Sequence, residues 1–381
     1  MKFIAYRDIL LPASEGFIPR QYQGFEQMAP IWLGSRSILR PEESRRLTGE
    51  AGSIITLPWL RRELWRQGGM VPREFSALMR QGSEARPVGI HANFGRGGAL
   101  SLPLAERYDL PLVVTYHGGD ATKDKHYQPH YGVSSLYLRR LPRLLQRARA
   151  IVCVSEFIRD SLRRRGFPSD RLVVNPYGVA PVAESDWADY GGSQSPPYLF
   201  FAGRLVEKKG VDYLLQAFAQ SRGQFPNLEL VIAGSGELEA SLRNRAREIS
   251  TERIRFVGWQ SPDQLLSWRR GAAAIVIPSV TSRSGDAEGM PNVVLEAMAQ
   301  GCAVIGSRHA GITEAINHGR SGLLVAERDV EGLAEAIAQL VSQPHLARRL
   351  GAAARQLVAE QYDATQQSRK LEQILLDHFK P

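Results

Sequence analysis

Short apolar runs, mostly four to eight residues long, recur along the chain, each followed by a longer stretch with apolar positions at helical spacing. In the first half the runs are 2–6 (KFIAY), 53–57, 88–92 (VGIHA), 111–116 (PLVVTY), 150–154 (AIVCV) and 172–174 (LVV), all predicted strands. Helices are predicted over 98–107, 133–148 and 155–165. Runs that are continuous rather than alternating mark strands covered on both faces, as in a parallel sheet between helices. A polar segment rich in Gly, Ser and Pro, 180–197 (APVAESDWADYGGSQSPP), then breaks the rhythm and reads as a linker. Beyond it strands are predicted at 199–203, 227–234, 254–258, 273–279, 302–307 and 322–325. Helices are predicted there over 209–222, 236–249, 262–271, 288–301, 311–318, 329–341, 345–361 and 363–379. The expected fold class is α/β, with two Rossmann-like α/β/α domains at 1–180 and 198–362, a linker at 181–197 and a last helical segment at 363–381. In such sheets ligands bind beyond the carboxyl ends of the strands.

The chain, at 381 residues, is long enough for two or three domains, and 43% hydrophobic against 23% charged residues is a globular composition. Its only cysteines, Cys153 and Cys302, exclude a disulfide framework and favour a reducing compartment. No uncharged apolar stretch approaches the roughly 18 residues of a membrane span, and no signal-peptide run opens the chain. A cytoplasmic protein is therefore expected.

Charge changes the picture more. Of the net +9, residues 1–190 carry 27 basic against 19 acidic groups, and 191–381 carry 21 against 20. The excess is clustered arginine: Arg61, Arg62, Arg66; Arg139, Arg140, Arg143, Arg147, Arg149; Arg159, Arg163, Arg164, Arg165. Such a field suits an anionic membrane surface, or else simply decorates solvated helices. Nucleic acid is set aside, because no aromatic interleaving or reading module accompanies the charge.

Three segments carry candidate chemistry. In 286–296 (DAEGMPNVVLE), Glu288 lies in a turn and Glu296 about two turns inside a predicted helix. Were the whole stretch helical, the carboxylates would stand roughly 12 Å apart and reach opposite ends of one elongated ligand. Gly289 lets backbone approach a ligand, Pro291 suits a first helical turn, and the helix terminus offers free amides. The same spacing also suits ordinary surface acids. In 203–210 (GRLVEKKG), Arg204 and Lys209 sit beside a predicted helix N-terminus. Cations oppose the dipole there unless an anion is present, so the pair reads as a pyrophosphate clamp or as a solvated charge run.

In 115–120 (TYHGGD), His117 ends a predicted strand with Asp120 near enough to orient or charge it, and 91–95 (HANFG) ends the preceding strand in the same way. His91 and His117 lack a third ligand at plausible spacing, so no metal site is expected. No dinucleotide fingerprint or P-loop follows the first strand, and 233–237 (AGSGE) is a weak glycine turn.

Together, 286–296, GRLVEKKG at 203–210 and HGGD at 117–120 resemble the retaining GT-B glycosyltransferases of family four. HANFG at 91–95 and PASEGFIPRQ at 12–21 are similar to the subset building colanic acid, amylovoran and related exopolysaccharides, in which threonine usually stands where Gly16 is. The resemblance covers both halves and is more specific in the second. It implies a GT-B fold, with two domains facing across a cleft and a last helix crossing back to the first. It implies that Arg204 and Lys209 hold the donor diphosphate, that Glu296 binds ribose hydroxyls, and that Glu288 lies by the donor sugar. Amides around Gly289, Met290, Pro291 and Asn292 would touch sugar hydroxyls or phosphate, and His117 the sugar near its 6-hydroxyl. Gly16 would approach phosphate or acceptor; Gly203, Gly234 and Val257 would line the nucleotide; Glu15, Asn93 and Asp120 fall on the acceptor side.

The implied reaction moves a hexose, glucose or galactose favoured, from a UDP-sugar to a saccharide or lipid-linked saccharide, with retention and no metal or other cofactor. GDP-mannose is the alternative donor, and a nucleotide-binding scaffold without activity is the alternative from another class. The expected partners are the UDP-sugar, that acceptor and the anionic inner membrane face, with the chain a monomer or weak dimer.

Overall fold

The computed structural model describes residues 1–10, 15–37, 53–56, 78–80, 86–123, 133–189, 196–249 and 252–380. Pro12–Ser14 of the early motif, Arg61, Arg62, Arg66 and residues 190–195 of the predicted linker lie outside them. The chain forms two compact units, Met1–Gly178 with Ala364–Pro381, and Val179–Asp363.

The first unit is built on β1 (Lys2–Tyr6), β2 (Ile9–Leu10), β3 (Ala29–Gly34), β4 (Arg36–Ser37), β5 (Ser53–Thr56), β6 (Pro87–Asn93), β7 (Leu112–Tyr116), β8 (Ala148–Cys153) and β9 (Leu172–Val174). Seven of these make one sheet in the order β5-β3-β1-β6-β7-β8-β9, every pairing parallel, while β2 and β4 pair separately. The core joins Phe3, Ala5, Trp32, Val113 and Val152 to Leu371, Leu375 and Phe379 of the last helix, Ala364–Phe379. That helix also buries Glu372, whose carboxylate accepts the backbone N–H groups of Glu26, Gln27 and Met28 at 3.0, 2.7 and 2.7 Å.

The second unit contains β10 (Tyr198–Ala202), β11 (Glu229–Ala233), β12 (Ile254–Gly258), β13 (Ala274–Ile277), β14 (Val304–Ser307) and β15 (Leu323–Val325). Their order is β12-β11-β10-β13-β14-β15, again all parallel. The direction of winding reverses between β10 and β13, and in the first unit between β1 and β6. Open parallel sheets leave a ligand crevice at that reversal, at the strands' carboxyl ends. Among the described residues no helix is long and apolar enough to cross a membrane.

Four local expectations change. Strand β3 is not among the predicted strands; Pro30 and Gly34 interrupt its apolar run APIWLG, but Pro30 stands only one residue inside the strand, where a missing N–H is tolerated. The helix expected over 288–301 is Asn292–Ala299, with Pro291 as an extended N-cap at ψ 114°. A residue preceding proline is disfavoured in the helical region, so the helix cannot run back through Met290, and the 12 Å spacing argument does not apply. The helix expected over 209–222 is Val211–Ser221, cut short by Gly210 at φ +65°, and Lys209 belongs to a 3₁₀ turn before it. Finally, the described part of the predicted linker is packed onto the second unit. Ala188 N–H donates to the Gln300 carbonyl at 2.9 Å, and the Arg355 guanidinium lies 3.3 Å over the Trp187 ring.

Candidate functional site

The loops leaving β10, β11, β12 and β13 are sewn together by backbone. Gly203 N–H donates to Ala233 at 3.0 Å, Leu205 N–H to Ser235 at 2.8 Å, Gly234 N–H to Gly258 at 2.7 Å and Val280 N–H to Lys208 at 2.8 Å. Two glycines permit this approach. A Cβ on Gly234 (φ +123°) would fall 1.9 Å from the Gly203 carbonyl oxygen, and one on Gly210 would fall 1.9 Å from that of Pro278. Gly210 thus lets GRLVEKKG lie against the start of the loop after β13 at the reversal of the sheet, and Gly234 lets the loop after β11 lie against it on the other side.

The charges there are matched in pairs. Lys209 Nζ lies 2.7 Å from Glu288 Oε1, and Lys208 Nζ lies 3.0 Å from Asp286 Oδ1 and 3.9 Å from Glu288 Oε2. Ser279 Oγ donates to Glu288 at 3.3 Å. Burial pushes the Glu288 carboxyl up, but Lys209 and then Lys208 outweigh it and hold the group at about 2. The positive side chains expected to await an outside anion therefore already have internal carboxylates. Arg204 is the exception: it is exposed and has no ion pair among the described residues.

Glu296 projects from the first turns of Asn292–Ala299 toward Arg269, whose Nη1 donates to it at 3.1 Å while Nε donates to Gln300 at 3.0 Å. The Glu296 side chain remains 28% exposed, so the buried arginine fixes it without removing it from solvent. Gly289, Met290 and Pro291 are buried, and the Asn292 Oδ1 is buried without a partner among the described residues. Val257 lies within β12.

In the first unit, His117 follows β7 and is packed among Phe94, Phe17 and Tyr177, with ring centroids at 4.3, 5.6 and 5.7 Å. Its Nδ1 is hydrogen-bonded to the Tyr177 hydroxyl, and its Nε2 has no partner among the described residues. Burial, then Arg7 and His91, push its pKa well below the ordinary value, so the imidazole is neutral. Asp120 acts on the main chain instead of the imidazole. It accepts the N–H groups of His117, Gly118 and Gly95 at 3.1, 2.9 and 3.0 Å.

Asn93 is buried and doubly engaged, accepting from Gln21 at 3.1 Å and donating to the Tyr22 hydroxyl at 3.2 Å. His91 lies between Tyr22 and Thr115, and burial pushes its pKa down to about 3. Glu15 forms a two-point ion pair with Arg7, at 2.6 and 2.8 Å, and Gly16 caps a single turn in an ordinary helical conformation that any residue adopts.

The structure thus joins Lys209 to Glu288 and leaves Arg204 exposed in the same loop, and it adds residues that spacing did not single out. Lys208, Asp286 and Arg269 are one or two positions from charged residues already noted or at a helix end. His309, which accepts the Glu288 backbone N–H, is a histidine just past a strand end, the same signal that marked His117.

The comparisons agree with this geometry. Residues 185–357 match the family model described as Glycosyl transferases group 1, and residues 36–182 that of Glycosyltransferase Family 4. The chain is 29% identical over 251 residues to the amylovoran biosynthesis glycosyltransferase AmsK of Erwinia amylovora, an alignment taking in 65% of this chain and 60% of that relative's length. It is 27% identical over 296 residues to a GDP-mannose-dependent alpha-(1-6)-phosphatidylinositol monomannoside mannosyltransferase of Mycolicibacterium smegmatis, covering 74% of this chain and 75% of the relative. The crystal structure of Anabaena HepE in complex with UDP and glucose superposes with a TM-score of 0.77 at 15% identity, covering 99% of this chain and all of HepE, a likeness of fold. The chain belongs to the family-four glycosyltransferases of GT-B fold.

Proposed function

We propose that the protein transfers a hexose from a nucleoside-diphosphate sugar, UDP-glucose or UDP-galactose, to a saccharide or lipid-linked saccharide in surface polysaccharide synthesis. The charge balance at the ends of β10 and β13 carries this reading. Lys208 and Lys209 are offset by Asp286 and Glu288, whereas Arg204, in the loop after β10, is a cation with no ion pair among the described residues. A leaving diphosphate would find Arg204 unpaired among the described residues, Lys209 held at 2.7 Å from Glu288, and the helix Asn292–Ala299 without a side-chain cap at its N-terminus.

Cleavage of the bond between the anomeric carbon and the phosphate oxygen leaves negative charge on the diphosphate, which Arg204, Lys209 and those amides stabilise. The acceptor oxygen bonds to the anomeric carbon on the face the diphosphate leaves, its proton passes to the departing phosphate oxygen, and configuration is retained. On this reading Arg204 and Lys209 supply the positive charge, and transfer is expected to proceed without a metal ion. Glu288, ionised and buried, faces the sugar side of this cluster, and Glu296 the ribose. In the first unit the neutral His117, with Nε2 unengaged, is suited to a sugar hydroxyl and not to proton transfer. The complex of HepE with UDP supports a UDP-sugar donor, and the mycobacterial relative supports GDP-mannose as the second reading. The arginine excess supports an acceptor at an anionic membrane less strongly than its count suggests. Arg143 and Arg147 pair with Glu106 and Asp109, and Arg165 and Arg171 bond backbone carbonyls.

Calorimetric titration with UDP and GDP, with and without chelator, tests the reading. Selective UDP binding that survives chelation and weakens in Glu296→Ala is the expected result. GDP selectivity transfers the assignment to mannose, and a folded protein that binds neither nucleotide overturns the donor site.

A further inference from the structure

We infer that His309, set by Glu327, is a positioning residue that holds the backbone of Glu288 in place, an inference that rests on the donor-side reading of Glu288 above. Three strand-end loops meet at this imidazole. His309 follows β14 and is buried. Its Nε2 accepts the backbone N–H of Glu288 at 3.2 Å, and its Nδ1 lies 2.7 Å from Glu327 Oε1, just past β15. The other side of Glu327 accepts the Thr281 backbone N–H at 2.8 Å, and Oε1 also accepts the Thr281 hydroxyl at 3.3 Å. Glu327 therefore ties down the start of the loop after β13 directly, and the end of it through His309.

The hydrogen-bond roles leave one tautomer. A backbone N–H can only donate, so the imidazole must present a lone pair at Nε2 and carry its proton on Nδ1, where the Glu327 carboxylate accepts it. A carboxylate behind a histidine fixes tautomer and ring plane in this way in many sites. The backbone after His309 is also close to the Glu288 loop. The neighbouring Gly311 lies so close to Gly289 that a Cβ on it would fall 1.9 Å from the Gly289 carbonyl oxygen. The side chain of Glu288 is held by Lys209 and Ser279 and its main chain by His309, so the carboxylate is fixed at both ends. Neither His309 nor Glu327 is in ion-pair contact with Arg204, Lys209 or Glu296 among the described residues, so the two act on the nucleotide site only through the Glu288 loop.

The test compares wild type, His309→Leu and His309→Gln by hydrogen exchange, by UDP calorimetry and by UDP release from UDP-glucose. In a folded His309→Leu, amides over 286–290 exchange about tenfold faster or more while those of β13 and β14 keep their protection. UDP release falls about 30-fold or more, as a misplaced catalytic group predicts, and the Kd for UDP stays within about threefold. Glutamine offers an acceptor and a donor in the same order as this tautomer, so His309→Gln recovers turnover to within about fivefold of wild type. A general structural role would instead lower protection, affinity and turnover together and gain nothing from glutamine. Should His309→Leu fail to fold, Glu327→Gln carries the same three measurements. Unchanged exchange over 286–290 in a folded His309→Leu or Glu327→Gln, or UDP affinity lost in proportion to turnover, overturns the inference. Wild-type protein that binds no nucleotide overturns the donor-site reading instead, and exchange then judges the histidine's hold on Glu288 by itself.

Discussion

A buried carboxylate between two ammonium groups stays ionised well into acid. For Glu288 the folded pKa lies near 2 against an ordinary 4.5, so the group binds its proton more readily in the unfolded chain. Its contribution is complete above about pH 4.5 and is lost as pH falls toward 2, a linkage of roughly 3 kcal/mol. Glu288→Gln is expected to lower unfolding stability at neutral pH by about 3 kcal/mol, because Lys209 loses its partner in a buried place. In denaturant titrations the variant should also lack the wild-type loss of stability between pH 4.5 and 2; an unchanged acid limb would show that the pair does not carry it.

Arg204 makes the opposite case. It is exposed and unpaired among the described residues, so Arg204→Ala should leave stability within about 0.5 kcal/mol. Donor turnover should fall by about 100-fold, the scale of removing one donor to a developing anion. Loss of turnover without loss of stability is the signature of a residue whose partner is the ligand, and turnover left within a few-fold of wild type removes Arg204 from the clamp.

At the scale of the element, loops decide what strands cannot. Gly210 and Gly319 both adopt left-handed φ, +65° and +75°, but only Gly210 faces a wall, the Pro278 carbonyl; nothing lies within 4 Å of a Cβ on Gly319. Gly319→Ala should cost about 1 kcal/mol for the left-handed backbone alone. Gly210→Ala should cost about 3 kcal/mol, since the loop after β10 must also move off that after β13. Equal costs measured by chemical unfolding would mean that the two loops do not depend on this contact.

The same elements show how far the sequence could be read. Strand centres were legible because strands covered on both faces are continuous apolar runs, and β3 was not, because Pro30 and Gly34 interrupt the run. Lys209, Glu288 and Glu296 were singled out by type and spacing, and the structure pairs Lys209 with Glu288. Lys208, Asp286, His309 and Glu327 were not, because their roles depend on which loops are neighbours. That follows from the order β12-β11-β10-β13-β14-β15 and not from separation along the chain. The helix over 288–301 was misjudged at its start because periodicity continues back through Pro291 while the backbone does not.

For the whole molecule, the last helix ties the end of the chain to its beginning. Periodicity marks Ala364–Phe379 as amphipathic but cannot say which sheet it covers; the core of the first unit answers that. Leu371, Leu375, Leu376 and Phe379 are all buried there, and each contributes about 2 kcal/mol of burial. Four such side chains rival the ~5–15 kcal/mol that holds a whole domain together. Removing the helix would also strip the Glu372 carboxylate from three backbone donors at residues 26–28. A chain ending at Asp363 should therefore lose the first unit selectively, since Val179–Asp363 keeps its own sheet and core. In hydrogen exchange, the amides of β1, β6 and β7 should lose protection while those of β10, β11 and β13 retain it. Titration with UDP should still raise the melting temperature of the surviving transition, as a ligand confined to the second unit requires. Protected β1 amides in the shortened chain would show that the first sheet stands without the helix, and the core that joins Phe3 to Leu375 would then be dispensable.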